Sequence, residues 1–156
     1  MKRIIAAALT LLLLAGCAGK GESASGEIRK EPPALRVERD GEELRLRPGT
    51  WSWEWTEKDG TVSGIEACGP GPLELSEDQA LLPGSSDTAR LRWDTPPREQ
   101  TLLVYRMSDR GDPDAMGEKT SVNEDGDFPV EPGCIYSLHA RWENGDAWYA
   151  FQSPIK

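Results

Sequence analysis

Hydrophobic and polar positions divide this chain into three stretches that follow different rules. From Ile4 to Leu14 apolar residues run almost unbroken for 11 positions, directly after Lys2 and Arg3. From Ala18 to Pro33 Gly, Ser, Lys and Glu dominate, and apolar side chains are sparse. Beyond Pro33 the pattern becomes an alternation with period two, the spacing at which a strand sends successive side chains to opposite faces. No long stretch repeats at the helical spacing.

The alternation predicts a mostly β domain. Leu35 and Val37 alternate with Arg36 and Glu38, Asp40 and Gly41 supply turn chemistry, and Leu44 and Leu46 then alternate with Arg45 and Arg47, which reads as a hairpin. Further strands are expected over residues 50–56, 89–93, 101–107, 135–142 and 148–151, with Asn144, Gly145 and Asp146 turning the chain into the last of them. Two stretches rich in Gly, Pro and Asp, 64–86 and 108–133, read as loops. Within the first, Ser76 and Gln79 have the spacing of a capping box that starts one helical turn before Pro83 and Gly84 stop it. About seven short strands in such a length are what a two-sheet antiparallel sandwich needs, and the immunoglobulin-like arrangement is its commonest form. Details depart from true immunoglobulin domains, since Tyr136 follows Cys134 by two residues instead of preceding it.

The N-terminal stretch has the layout of a secretory signal: a basic start, a short apolar core and a small-residue end at Leu14, Ala15, Gly16 and Cys17. This block resembles the lipobox of bacterial lipoproteins, which implies diacylation of the Cys17 thiol and cleavage before it. A transmembrane anchor is the competing reading, but 11 residues fall well short of the roughly 20 that a spanning helix needs. The expected organisation is therefore a signal over 1–16, a lipidated N-terminus and flexible tether over 17–33, and the sandwich over 34–156. The tether is too polar to order itself, and Pro32 and Pro33 mark its end.

Losing Lys2 and Arg3 with the signal takes the formal charge from −9 to −11. Such a surface repels phosphate backbones and anionic head groups, so nucleic acid is excluded as an expected partner and attachment to a membrane falls to the lipid. With Cys17 assigned to the lipid, Cys68 and Cys134 remain as an even number outside the reducing cytosol, and a disulfide between them is expected, with two buried thiols as the alternative. It would close a 66-residue separation, worth about 4 kcal/mol in the chain-entropy model. One histidine, His139, and the lack of a Cys-x-x-Cys spacing leave no zinc motif.

Trp51, Trp53 and Trp55 fall on one strand face and invite two readings. As a platform they would stack on sugar rings; as core they would pack between the sheets with Trp93, Trp142 and Trp148. The polar alternates Ser52 and Glu54 favour the core, with one exposed tryptophan left open. Asp109, Asp112 and Asp114, and Asn123, Asp125 and Asp127, resemble fragments of calcium loops without completing one, and solvated turns account for both. Arg110, Gly111 and Asp112 spell the integrin-binding tripeptide, for which a tight polar turn suffices. His139 has Arg141 on the same strand face and no nucleophile in a recognisable elbow, so it reads as a surface residue and the chain as a non-enzyme without a cofactor.

A wider set of residues, Gly49, Thr50, Trp51, Ser52, Trp53, then Gly64, Ile65, Glu66, Ala67, Pro72, Leu73, and finally Tyr136, Leu138, Ala140, Trp142, Gly145, Tyr149 and Phe151, resembles a group of small lipoproteins of Gram-positive, chiefly clostridial, bacteria. It is also similar to C-terminal extensions of some membrane-bound regulatory peptidases of the antibiotic-sensor type. The resemblance implies an extracytoplasmic β-rich module and transfers no catalytic residue; Cys68 and Cys134 stand outside it. Together these readings describe a membrane-anchored binding or accessory module that meets a partner protein or a cell-wall ligand. A small envelope hydrolase or inhibitor, and a carbohydrate-binding module that uses an exposed tryptophan, are the alternatives. A solute-binding protein for a transporter would need far more chain for its two lobes.

Overall fold

The computed structural model describes residues 28–155. Among them ten strands form two antiparallel sheets that pack together as a sandwich. The smaller has the order β2-β1-β5-β8: β1 (Leu35–Arg39), β2 (Glu42–Leu46), β5 (Thr88–Trp93) and β8 (Asp127–Pro129). The larger has the order β4-β3-β10-β9-β6-β7: β3 (Trp51–Thr56), β4 (Val62–Ala67), β6 (Glu99–Arg106), β7 (Glu118–Thr120), β9 (Cys134–Arg141) and β10 (Gly145–Ser153).

The first hairpin forms as the turn chemistry dictates. Asp40 and Gly41 both take positive φ, +54° and +79°, the backbone of the tight turn whose twist matches paired strands, and Arg39 lies opposite Glu42. The Asp40 carboxylate accepts the backbone N–H groups of Ser85 and Ser86, and those bonds hold it below the ordinary carboxylate range.

Between the sheets, alternate residues meet in one core. Leu35, Val37, Leu91 and Phe128 face it from the small sheet, and Trp53, Leu102, Tyr136, Leu138, Tyr149 and Phe151 from the large one. Tyr136 and Phe151 stack at 5.0 Å, and Trp93 meets Trp142 and Tyr149 edge-on, each at 5.3 Å. Burial pushes the Tyr136 phenol up to about 12 and raises that of Tyr149, so both stay neutral.

Four expectations are corrected. β4 begins just before the stretch 64–86 and occupies its start, and β7 and β8 lie inside 108–133, so three strands stand where loops were expected. Each is an edge strand, and an edge needs only one paired side, so its sequence carries little of the alternation of a central strand. The Ser76–Gln79 turn forms, with Gln79 Oε1 accepting the Ser76 N–H at 3.0 Å. It stops there because Ala80 takes φ +49°, and the only helical pieces among the described residues are 3-10 turns over Pro72–Glu74 and Met107–Asp109.

The domain begins earlier than residue 34. Trp53 donates its indole N–H to the Arg29 carbonyl at 3.1 Å, Tyr149 donates to the Pro33 carbonyl, and Lys30 pairs with Glu57 at 3.0 Å, so 28–33 pack on the sandwich and are not tether. Finally, Cys68 and Cys134 are both free thiols. In the large sheet β3 and β10 stand between β4, which Cys68 follows, and β9, which Cys134 begins. Three strand spacings alone come to about 14 Å, twice what a disulfide spans, and the register adds to this, since Cys68 follows Ala67, which is level with Ala147, whereas Cys134 lies opposite Ser153. Cys134 is buried and Cys68 exposed; burial raises the Cys134 thiol above its ordinary value, which keeps it protonated. Cys17 and residues 1–16 lie outside the described residues.

Candidate functional site

The outer faces of the two sheets differ in how completely their chemistry is satisfied. On the small sheet Arg36 pairs with Glu43 at 3.6 Å and with Asp94 at 2.9 Å, Arg92 pairs with Glu38 at 3.1 Å, and Arg90 with Asp127. These pairs run diagonally, because the register sets Arg45, Arg36 and Arg92 in one row and Glu43, Glu38 and Arg90 in the next; most charges of this face are met within it, and Arg45 has no ion pair among the described residues.

The large sheet presents something else. Its register places Glu66 of β4, Ser52 of β3, Asp146 of β10, Arg141 of β9 and Glu99 of β6 in one row across five strands. The next row holds Trp148 of β10, His139 of β9 and Thr101 of β6. At the far end, residues 72–79 cover the face, with Gln152 donating its side-chain amide to the Ser76 carbonyl at 2.7 Å, and 80–82 then run parallel beside β10, where Leu82 donates to the Gln152 carbonyl and Gln152 to the Ala80 carbonyl. The uncovered end is therefore the end that carries Trp148.

Trp148 is 38% exposed and lies flat on the His139 ring, 4.0 Å between centroids and 11° from parallel. His139 Nε2 stands 2.8 Å from Asp146 Oδ2, and because a carboxylate only accepts, Nε2 carries the proton. The other carboxylate oxygen accepts the Ser52 hydroxyl at 2.8 Å. Partial burial alone would raise the Asp146 carboxyl, but the bonds from His139 and Ser52 outweigh it and hold the group below its ordinary value. Gly145 permits this approach: with φ +151° it lies so close to β3 that a Cβ would come within 2.1 Å of the Ser52 carbonyl. Alongside runs a groove of about 520 Å³, with Ser52, Glu54, Gly64, Glu66, Arg141 and Asp146 among its lining residues.

Ser52, Asp146 and His139 are the residue types of a hydrolytic triad in the wrong order. A nucleophilic serine gives its proton to the imidazole, and the carboxylate orients the far side of that ring. Here the carboxylate stands in the middle, and Ser52 donates to a group whose depressed proton affinity makes it a poor base. The arrangement fixes a flat aromatic pair; it does not activate a hydroxyl.

The tryptophans singled out from the sequence lie elsewhere. Trp53 and Trp55 are buried, Trp51 is half-buried, and all three face the interior, where Trp53 meets Trp142 edge-on at 5.7 Å. His139 and Arg141 share the outer face, as their alternation implies. What the sequence reading missed was Trp148, grouped with the core tryptophans, and Asp146, taken as a turn residue. Parity along β10 carries the missing signal, since Asp146, Trp148 and Ala150 alternate with the buried Ala147, Tyr149 and Phe151. The two aspartate-rich runs cap their own turns: Asp112 accepts the Asp114 N–H at 3.0 Å, and Asn123 accepts the Asp127 N–H at 2.7 Å. Arg110 donates to the Gln152 side chain at 2.7 Å, so the tripeptide it begins is folded into the cover of the sheet.

Comparison of the chain with family models, with curated proteins and with solved structures finds no match.

Proposed function

We propose that this protein is a lipid-anchored, extracytoplasmic binding module that takes a cell-wall saccharide on the outer face of its larger sheet, at Trp148. The observation that carries the reading is the exposed indole held flat against His139, with Asp146 and Ser52 bracing the histidine. A preset aromatic plane ringed by hydroxyl, carboxylate and guanidinium groups suits a sugar ring, which offers an apolar C–H face and a polar rim. Glu54, Glu66 and Asp146 around the groove disfavour anionic polymers and direct the choice to neutral or amino-bearing sugars. Binding without catalysis is supported by the order in which Ser52, Asp146 and His139 connect.

Location rests on Cys17: two acyl chains make a stable anchor where one binds marginally. In cells, Cys17→Ala is expected to move the protein out of the membrane fraction. For the ligand, the full chain is titrated with the neutral disaccharide of N-acetylglucosamine while tryptophan fluorescence is followed. A saturable change that disappears in Trp148→Ala is expected. Equal binding by wild type and Trp148→Ala would discard the site.

A further inference from the structure

The sandwich has four outer strand edges, and three of them carry devices that discourage another chain from pairing. β7 is three residues long and carries Glu118 and Lys119; β8 is three residues long and ends in Pro129; β2 carries Glu42, Glu43 and Arg45. Short, charged or proline-bearing edges are the usual protection against strand addition. β4 has none of these. It spans six residues, Val62–Ala67, holds one charge, Glu66, and no Pro or Lys, and leaves Val62 66% and Ile65 44% exposed.

Its hydrogen-bonding groups are presented in the required way. Glu54 donates its N–H to the Asn144 carbonyl and Trp148 donates to the Thr50 carbonyl, so the even-numbered residues of β3 face β10 and the odd-numbered ones face β4. Trp51, Trp53 and Trp55 lie opposite Ala67, Ile65 and Ser63, which therefore spend their backbone groups on β3. By the alternation of an antiparallel ladder, the N–H and C=O groups of Val62, Gly64 and Glu66 point away from the sheet. No strand among the described residues takes them up.

Charge selects the occupant. On the outer side of this edge Glu66 projects from β4 itself, and Glu54 lies over Gly64, its Cγ within 3.3 Å of where a Cβ would stand, so the missing side chain leaves room for a second carboxylate beside the edge. Neither glutamate has an ion pair among the described residues. A second copy of this chain, pairing β4 with β4 about a two-fold axis, would bring two such pairs of carboxylates onto one face with no cation in either strand. We propose that β4 is an acceptor edge that takes an extended segment of a cationic partner polypeptide as a seventh strand, its lysine or arginine side chains on the outer side against Glu66 and Glu54 and its apolar side chains beside Ile65. The main-chain bonds supply affinity and the two carboxylates supply selectivity.

The test uses the full-length, isotope-labelled chain and a synthetic decapeptide of alternating valine and lysine, with a valine–glutamate peptide as control. Amide exchange at Val62, Gly64 and Glu66 is expected to slow by about tenfold or more on adding the lysine peptide, while Ser63 and Ile65 do not change. The glutamate peptide should have no effect, and Glu54→Gln with Glu66→Gln should weaken binding by about tenfold. Gly64→Pro should abolish the protection; because that variant can misfold, the lysine peptide methylated on alternate backbone nitrogens should also fail against the unaltered chain. Trp148→Ala should leave the protection intact, which separates this edge from the Trp148 contact; Glu54 and Glu66 line the groove beside both, so Trp148 and not the glutamates tells the two apart. Equal protection by the glutamate peptide, protection located elsewhere, slowing that grows with the chain's own concentration, or slow exchange in the dilute free chain would each overturn the proposal.

Discussion

Trp142 and Trp148 flank the same turn, and their surroundings are opposite. Trp142 is 8% exposed, meets Trp53 and Trp93 edge-on and donates its indole N–H to the Thr95 carbonyl at 3.0 Å. Trp148 is 38% exposed, is stacked on a single ring, and no described residue accepts its indole N–H. Edge-to-face contacts and a satisfied donor are what a packed interior selects. A flat ring with one face supported and its donor unspent is what a surface keeps for something that arrives from outside. The difference teaches that tryptophan count says little about a binding platform in this fold, and that strand parity decides which indole is available.

The largest break of this comparison is Trp142→Ala. It removes a ring on which Trp53 and Trp93 both lean, and a loss of about 3–5 kcal/mol in denaturant unfolding is expected. A loss below about 1 kcal/mol would mean that the interior cluster does not hold the sheets together. The thiols extend the contrast. Cys68 should react with a thiol reagent at once, whereas buried Cys134, its proton affinity raised, should react at least about a hundredfold more slowly in the folded chain and at the same rate in denaturant. Mass analysis that found the two joined would restore the disulfide.

The fold class was legible because central strands buried on one face must alternate, and β1 does so throughout, β3 over 52–56, β9 over 138–141 and β10 over 146–151. Edge strands escaped that logic, since β4 is half open to solvent and β7 and β8 are three residues long. The candidate site was only partly legible. His139 and Arg141 were placed on the outer face by parity, but which rows of that face remain open depends on where residues 72–79 cross the sheet, and that is a long-range fact fixed by Gln152. The disulfide failed for the same reason: cysteine parity carries no information about which strands come to lie between two positions.

A smaller effect sharpens the outer side of the comparison. Asp146 has a lower proton affinity folded than unfolded, so as pH falls the unfolded chain takes up its proton first. Its stabilising contribution is therefore complete above the ordinary carboxylate value of about 4 and is lost as pH falls through the lower folded value. Asp146→Asn should cost about 1 kcal/mol at neutral pH, and the gap from wild type should narrow as pH falls below the ordinary carboxylate range. Unfolding curves at neutral and at acidic pH measure it. A gap that stayed constant would show that the carboxylate does not act through its bonds to His139 and Ser52.

A modest stability effect belongs to the residue on which the proposed function depends. Trp148 partly meets solvent, and its removal uncovers His139 without opening a cavity between the sheets, so Trp148→Ala should cost about 1–2 kcal/mol in denaturant unfolding, well below the Trp142→Ala loss. That modest cost is what makes the variant informative, because any loss of saccharide response then reports the contact surface and not the fold. His139→Ala provides the finer test. It leaves the indole in place but takes away the ring that keeps it flat, so ligand affinity should fall by less than in Trp148→Ala while the unfolding midpoint moves by a similar small amount. If His139→Ala had no effect on affinity, the stacked pair would be a packing accident of neighbouring strands, and the contrast with Trp142 would be one of exposure alone.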